Sequence, residues 1–229
     1  MDQAAALAAR QLVRGARKAS LATLDANSGA PFASMILVAT TTEGAPYTLL
    51  SSLARHTQNL RKSSAASILI DASNASGDAT SGGRITLMGQ LIVDTDPSGR
   101  RRFIARHPSA SHYADFGDFA FFRYRIESAH LIEGFGRIIP LPGTALQPSL
   151  GDLTAFNGSE PQIVDALRPR WPMVIGVDCE GVDLETNGTP ERLTFDETAI
   201  SPAIAHALAE IKLFNHFRLQ PPPKFPDRT

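Results

Sequence analysis

Ser51 to Leu60 reads SSLARHTQNL and follows directly on the short extended run Tyr47-Thr48-Leu49-Leu50. A strand that ends in two serines and turns into a helix leaves backbone N–H groups and hydroxyls unpaired at the helix start, where the helix dipole favours an anion. Ser52, Arg55, His56, Thr57 and Asn59 are the side chains that can point at that anion. One charge-assisted bond from Arg55 contributes roughly 1.5–3 kcal/mol, and each neutral bond about 1 kcal/mol. An ordinary capped helix has the same pattern, since serine and threonine are common N-caps that need no ligand. Read alone, the stretch favours the capped helix, and the elements around it have to carry the case for a ligand.

Upstream, Ser20 to Leu24 and Phe32 to Ala39 read as strands across the turn Asp25 to Gly29, and Thr41 to Gly44 leads into Tyr47 to Leu50, which makes a meander. Before them, Asp2 to Lys18 reads as a helix, with Ala5, Ala8, Leu12 and Ala16 on one stripe and Arg10, Arg14 and Arg17 on another, expected to face water. Downstream, Ser67 to Asp71 is a strand, residues 72–83 form a Ser/Gly/Asn-rich loop, and Arg84 to Val93 is a long strand with a bulge or corner at Gly89. Asp96-Pro97-Ser98 caps a helix through Arg106, a shorter helical piece spans Ser111 to Phe116, and Phe119 to Ile126 with Ala129 to Glu133 reads as a pair of strands. Gly134-Phe135-Gly136 has neither the spacing nor the following helix of a dinucleotide loop, so a strand bulge is expected there. Many strands with short turns and few helices suggest an antiparallel barrel, which removes exposed edges by closure.

Six pieces of this chain carry a family resemblance: SLATLD (20–25), GAPFASMILVA (29–39), GAPYTLLSSLARHTQNL (44–60), GRITLMGQL (83–91), RRRFIARHPSASHYADFGDF (100–119) and EGFGRI (133–138). Together they cover most of the first 140 residues. They resemble the FMN-binding split-barrel proteins related to pyridoxamine 5'-phosphate oxidase, in particular the haem-utilisation branch. The resemblance implies an α+β chain, with an antiparallel split β-barrel of the FMN-binding type over residues 1–142 and a small α+β domain over 143–229. It also implies a homodimer with FMN in a groove at the interface. Carried over by position, Ser34 and Ile36 line the flavin from the second strand, and Ser51, Ser52, His56, Thr57 and Asn59 hold phosphate and ribityl oxygens with Arg55 beside them. Arg84 reaches the ring edge, where a guanidinium stabilises the charge of a reduced flavin. The expected function is that of a flavoprotein oxidoreductase of haem-utilisation type, with no catalytic residue assigned. The alternative is a non-enzymatic binder of haem or flavin, for storage, transport or sensing.

Where the authentic oxidase carries basic residues on its second strand, this chain has Ser34 and Ala39, and it lacks that enzyme's C-terminal substrate segment, so oxidation of pyridoxamine phosphate is not expected. Haem is the second candidate ligand. Arg100, Arg101, Arg102 and Arg106 are candidates for its propionates, and His112, His130, His206 or His216 for its iron.

Proline and glycine cluster at Pro140 to Gly143, where the domain boundary is expected. Beyond it, Pro161 to Leu167 reads as a helix and Met173–Asp178, Gly181–Thr186 and Glu191–Phe195 as a small meander, and Ser201-Pro202 caps a last helix ahead of the proline-rich tail 221–223. Asp178, Glu180, Asp183 and Glu185 alternate as a solvated strand face does. Across 229 residues, 43% hydrophobic and 20% charged, the net charge is −1, which leaves no basic excess to draw nucleic acid or an anionic membrane. No apolar run has the length of a membrane span, and the N-terminus lacks the apolar core of a signal peptide, so a cytoplasmic location is expected. The single Cys179 excludes an internal disulfide and any multi-cysteine metal site, and it reads as a small core side chain.

Overall fold

A computed structural model describes residues 2–72, 82–133, 137–148, 154–186 and 188–219. The bulge expected at 134–136, most of the loop at 72–83 and the tail 221–223 lie outside the described residues. The chain divides into two compact units, residues 1–149 and 150–229.

The first unit opens with α1 (Gln3–Gly15), whose start is fixed by Asp2, its carboxylate accepting from the N–H groups of Ala4 and Ala5. The barrel strands are β1 (Lys18–Leu24), β2 (Pro31–Leu37), β3 (Ala39–Thr40), β4 (Pro46–Ser51), β5 (Ala65–Asp71), β6 (Gly83–Val93), β7 (Phe119–Glu133) and β8 (Ile138–Pro142), with α2 (Arg55–Lys62) and α3 (Pro97–Arg106) between them. They form one antiparallel sheet in the order β2-β1-β5-β6-β7-β4-β3, and β8 adds to β7. Between the ends of this path the wall is bridged by Thr48 Oγ1 donating to Leu37 O at 2.7 Å, so the barrel is split there. Leu21, Ile68, Leu87 and Leu131 alternate inward along their strands and are fully buried, with α1 adding Ala5, Ala9 and Val13 to the same core.

The strand pair expected at 119–133 is one continuous strand of 15 residues. The break in periodicity near Glu127 is a register shift against β6 at Met88/Gly89, not a turn. Gly89 is required there because a Cβ would stand 2.0 Å from Arg125 O. The barrel also runs past Pro142: Ala145 and Leu146, in the 3₁₀ turn Gly143–Leu146, are buried in the barrel core.

The basic stripe of α1 does not face water. Arg14 is buried and donates to Thr42 O, Arg10 donates to Ala145 O, and Arg17 donates to Arg106 O. From α3, Arg102 donates to Thr40 O and Arg106 to the carbonyls of Arg14 and Ala16. A guanidinium has five donors, and carbonyls freed at strand and helix ends satisfy them inside the protein.

The second unit comprises α4 (Thr154–Leu167), β9 (Val174–Asp178), β10 (Gly181–Thr186), β11 (Thr189–Thr194) and α5 (Pro202–Leu219), with the sheet ordered β11-β10-β9. Cys179 and Trp171 lie in its core. The acidic alternation here is not a solvated face, because Asp178, Glu180 and Asp183 are all buried. Arg192 reaches back from β11, with NH2 2.7 Å from Asp178 and NH1 3.0 Å from Asp183, and these two carboxylates hold its guanidinium in the charged form.

Candidate functional site

Helix α2 plugs one end of the barrel and divides the residues read from the sequence into two sets. Residues three and four apart share a helix face, so His56 and Asn59 look one way and Thr57, Leu60 and Arg61 another. On the first side, Ser34 Oγ lies 3.0 Å from His56 Nδ1. Burial pushes the His56 imidazolium pKa down, which keeps the ring neutral at pH 7. On the other side, Ser52, Thr57 and Arg61 line a cavity of about 410 Å³ between α2 and the ends of β6 and β7.

The phosphate seat of the sequence reading is largely satisfied from within. Ser52 N–H donates to Asp118 O, Leu53 N–H to Ser51 Oγ, Ala54 N–H to Ser51 O, and the N–H groups of Thr57 and Gln58 to Ala54 O. Ser51 Oγ itself donates to the Asp118 carboxylate at 2.8 Å, which places a negative charge where phosphate was expected. Arg55 is held by Asp25, its Nε and NH2 lying 2.8 and 2.7 Å from Oδ2, and it sits over the Phe32 ring. Asn59 is buried, donating to Thr23 Oγ1 at 2.9 Å and accepting from Ala26 N–H at 2.8 Å, so its amide ties α2 to the barrel wall. Ile36 belongs to the barrel core and offers a ligand only its backbone. Among the predicted seat, Ser34, Ser52, His56 and Thr57 keep free capacity, but they do not face one site. This arrangement does not fit a bound phosphate at Ser51–Ser52.

Asp25 carries a testable consequence. The Ser28 hydroxyl and N–H, followed by Arg55, hold its carboxyl below the usual carboxylate range. A depressed native pKa contributes stability that is complete above the unfolded value of about 3.9 and is lost progressively as pH falls from there toward the lower native value. Melting temperature should therefore drop on acidification from pH 5 to 3, and Asp25→Asn should flatten that slope. Parallel curves for the two proteins would contradict the assignment.

Arg84 lies elsewhere. It is nine residues along β6 from Val93, which lines the cavity, or roughly 30 Å at 3.3 Å per residue, so within one chain it cannot meet Ser52 and Thr57 around one flavin. It stands on the outer face of the sheet. Register puts Met35, Ser20, Leu69, Thr86, His130 and Pro140 in one row across six strands of that face, with Ala33, Ala22, Ser67, Met88, Ser128 and Pro142 in the next. Neither row holds a carboxylate, lysine or arginine. Met35 is 64% exposed, and Leu69 and Met88 about 40%. Around Met88, His130 and Pro140 the face sinks into a shallow cavity of about 430 Å³. Arg84 and His130 are diagonal neighbours there, roughly 7–8 Å apart between Cα atoms.

Nothing in the sequence pattern distinguished this face, because its members come from six separate strands. Of the other haem candidates, Arg102 and Arg106 are spent on carbonyls, Arg100 pairs with Asp115, and His216 lies 3.5 Å from Glu191. A cavity of about 850 Å³ beside α1, lined by Leu12, Ile70 and Gly83 among others, holds none of the predicted residues. Among the described residues there is no cluster of three or more His, Cys, Asp or Glu able to hold a metal ion, and no helix is long and apolar enough to cross a membrane.

The family model described as the CREG β-barrel matches residues 1–144. HOZ, a chloroplastic heme oxygenase of Arabidopsis thaliana, is 37% identical over 109 residues, which cover 46% of this chain and 33% of that protein. The match thus spans about a third of the relative's length. Among solved structures, Atu2129 of Agrobacterium tumefaciens, of unknown function, superposes with a TM-score of 0.77 at 22% identity, over 90% of this chain and 93% of that one. A heme binding protein from Mycobacterium smegmatis superposes at 0.60 and 24% identity, over 91% and 97%. The likeness in fold thus extends beyond the split barrel into the second unit, and the chain belongs to the CREG β-barrel family.

Proposed function

We propose that this protein binds haem on the uncharged outer face of its barrel sheet, between two copies of the chain. The observation that carries this reading is the juxtaposition on that face of His130 as an iron ligand, Arg84 as a propionate partner and an apolar floor from Met35, Leu69, Met88 and Pro140. A planar macrocycle with two acidic groups at one edge suits a flat uncharged surface bordered by a row that holds Lys18 and Arg84, with Asp71 opposite Arg84. The heme oxygenase and heme binding protein among its relatives supply the ligand class. The face covers on the order of 500 Å² per copy, from six strands about 4.8 Å apart, close to what the smallest specific interfaces bury. Seven of the twelve positions in the two rows are apolar, and a surface patch of this size is often functional.

Haemin titration followed in the Soret band tests the ligand assignment. The wild type should give a saturable shift, and His130→Ala should weaken it at least tenfold or change the ligand-field spectrum. Equal binding and equal spectra in the two proteins would remove His130 from the site. Incubation of the complex with a reductant in air then separates an enzyme from a binder, since loss of the Soret band with product release indicates oxygenase chemistry and a stable spectrum indicates storage or transport.

Flavin is the second reading. It draws on Ser34 and His56 at 3.0 Å and on the N–H groups of Arg55 and His56, which lack partners among the described residues. In it Arg84 would come from a second copy, and the protein would be an FMN-dependent oxidoreductase. Co-purifying flavin absorbance would favour this reading over haem.

A further inference from the structure

The geometry points to a second ligand site, on the far side of α2 from Ser34 and His56, that takes a small apolar monocarboxylate in the 410 Å³ cavity at the barrel mouth. Its walls are inward-facing side chains, Leu50, Leu91 and Phe122, that close the barrel core at this end. Set among them is Thr57, 4% exposed, whose Oγ1 has no hydrogen-bond partner. A buried hydroxyl left unpaired is costly, and such orphans in folded proteins call for an explanation. One turn along the same helix face is Arg61, whose guanidinium makes no hydrogen bond or ion pair among the described residues and also lines the cavity.

A hydroxyl donor and a guanidinium four residues apart converge on one carboxylate, while an aliphatic chain or aryl ring behind it fills the apolar part. Charge sets the class of head group. Asp118 also lines the cavity, its carboxylate engaged by Ser51 Oγ, and its fixed negative charge disfavours a phosphate dianion more than a carboxylate monoanion. The site shares no residue with the outer sheet face, so it stands or falls independently of haem binding.

Calorimetric titration of the full chain with octanoate, with octanol and inorganic phosphate as counterparts, tests the proposal. Octanoate should bind saturably and more tightly than either counterpart. Arg61→Gln should weaken octanoate roughly tenfold or more, the loss of one charge-assisted bond. Thr57→Val, nearly isosteric, should weaken octanoate severalfold while leaving the melting temperature of the free protein unchanged or raised, because it deletes an unpaired hydroxyl. Octanoate that fails to bind, or that binds both variants as tightly as the wild type, overturns the proposal. A Thr57→Val protein that melts lower yet binds octanoate normally does so too, since the hydroxyl would then be structural.

Discussion

Arg192→Ala is expected to destabilise the C-terminal unit by about 3–5 kcal/mol, the typical cost of removing one partner from a buried ion pair. The side chains of Arg192, Asp178 and Asp183 are each under 10% exposed, so loss of the guanidinium leaves two carboxylates in the interior without their cation. Against a domain stability of roughly 5–15 kcal/mol, that is a large fraction. Trp171 is the only tryptophan and lies in the same core, so its fluorescence in a urea titration reports this unit selectively. A shift below about 1 kcal/mol for Arg192→Ala would mean that water reaches the carboxylates.

The second large effect is expected at Asn59. Its amide ties α2 to Thr23 on β1 and to Ala26 in the following turn, so Asn59→Ala leaves a buried threonine hydroxyl and a backbone N–H unpaired. At about 1–3 kcal/mol for each orphaned group, the barrel unit should lose roughly 2–4 kcal/mol, allowing for partial hydration. Far-UV circular dichroism during denaturation checks this directly. A residue whose role was to hold a flavin would give the opposite pattern, with unchanged stability of the free protein.

Asn59 also marks where the sequence could and could not be read. Strand positions, the bulge at Gly89 and the Asp96 cap of α3 were legible because local chemistry sets them: alternation, a glycine that must admit a close carbonyl, a side chain that accepts from a helix amide. What Ser51, Arg55 and Asn59 bond to was not legible, because Asp118, Asp25 and Thr23 approach them from 67, 30 and 36 residues away. The same limit misassigned Arg14 and Arg102. Arg14 read as water-facing and Arg102 as a propionate candidate, yet both end on carbonyls of the Thr40–Thr42 segment. Asp178 and Asp183 looked like a polar strand face until Arg192 closed over them from β11. Polar side chains report their partners only once the chain has folded, whereas apolar periodicity reports the core beforehand.

Arg84 and His130 show the converse. The sequence named them for different ligands, Arg84 for flavin and His130 for haem, and they become neighbours only through the register of β6 with β7, which also aligns the uncharged rows beside them. The two proposed sites therefore lie on separate surfaces of the barrel, its outer sheet face and its mouth beside α2.

Sedimentation velocity recorded at the Soret wavelength, on protein mixed with substoichiometric haemin, measures colour and mass together. Haem bound on the outer face between two copies predicts that the absorbing species sediments at the mass of the dimer. Colour sedimenting at the monomer mass, or as free haemin, would contradict it.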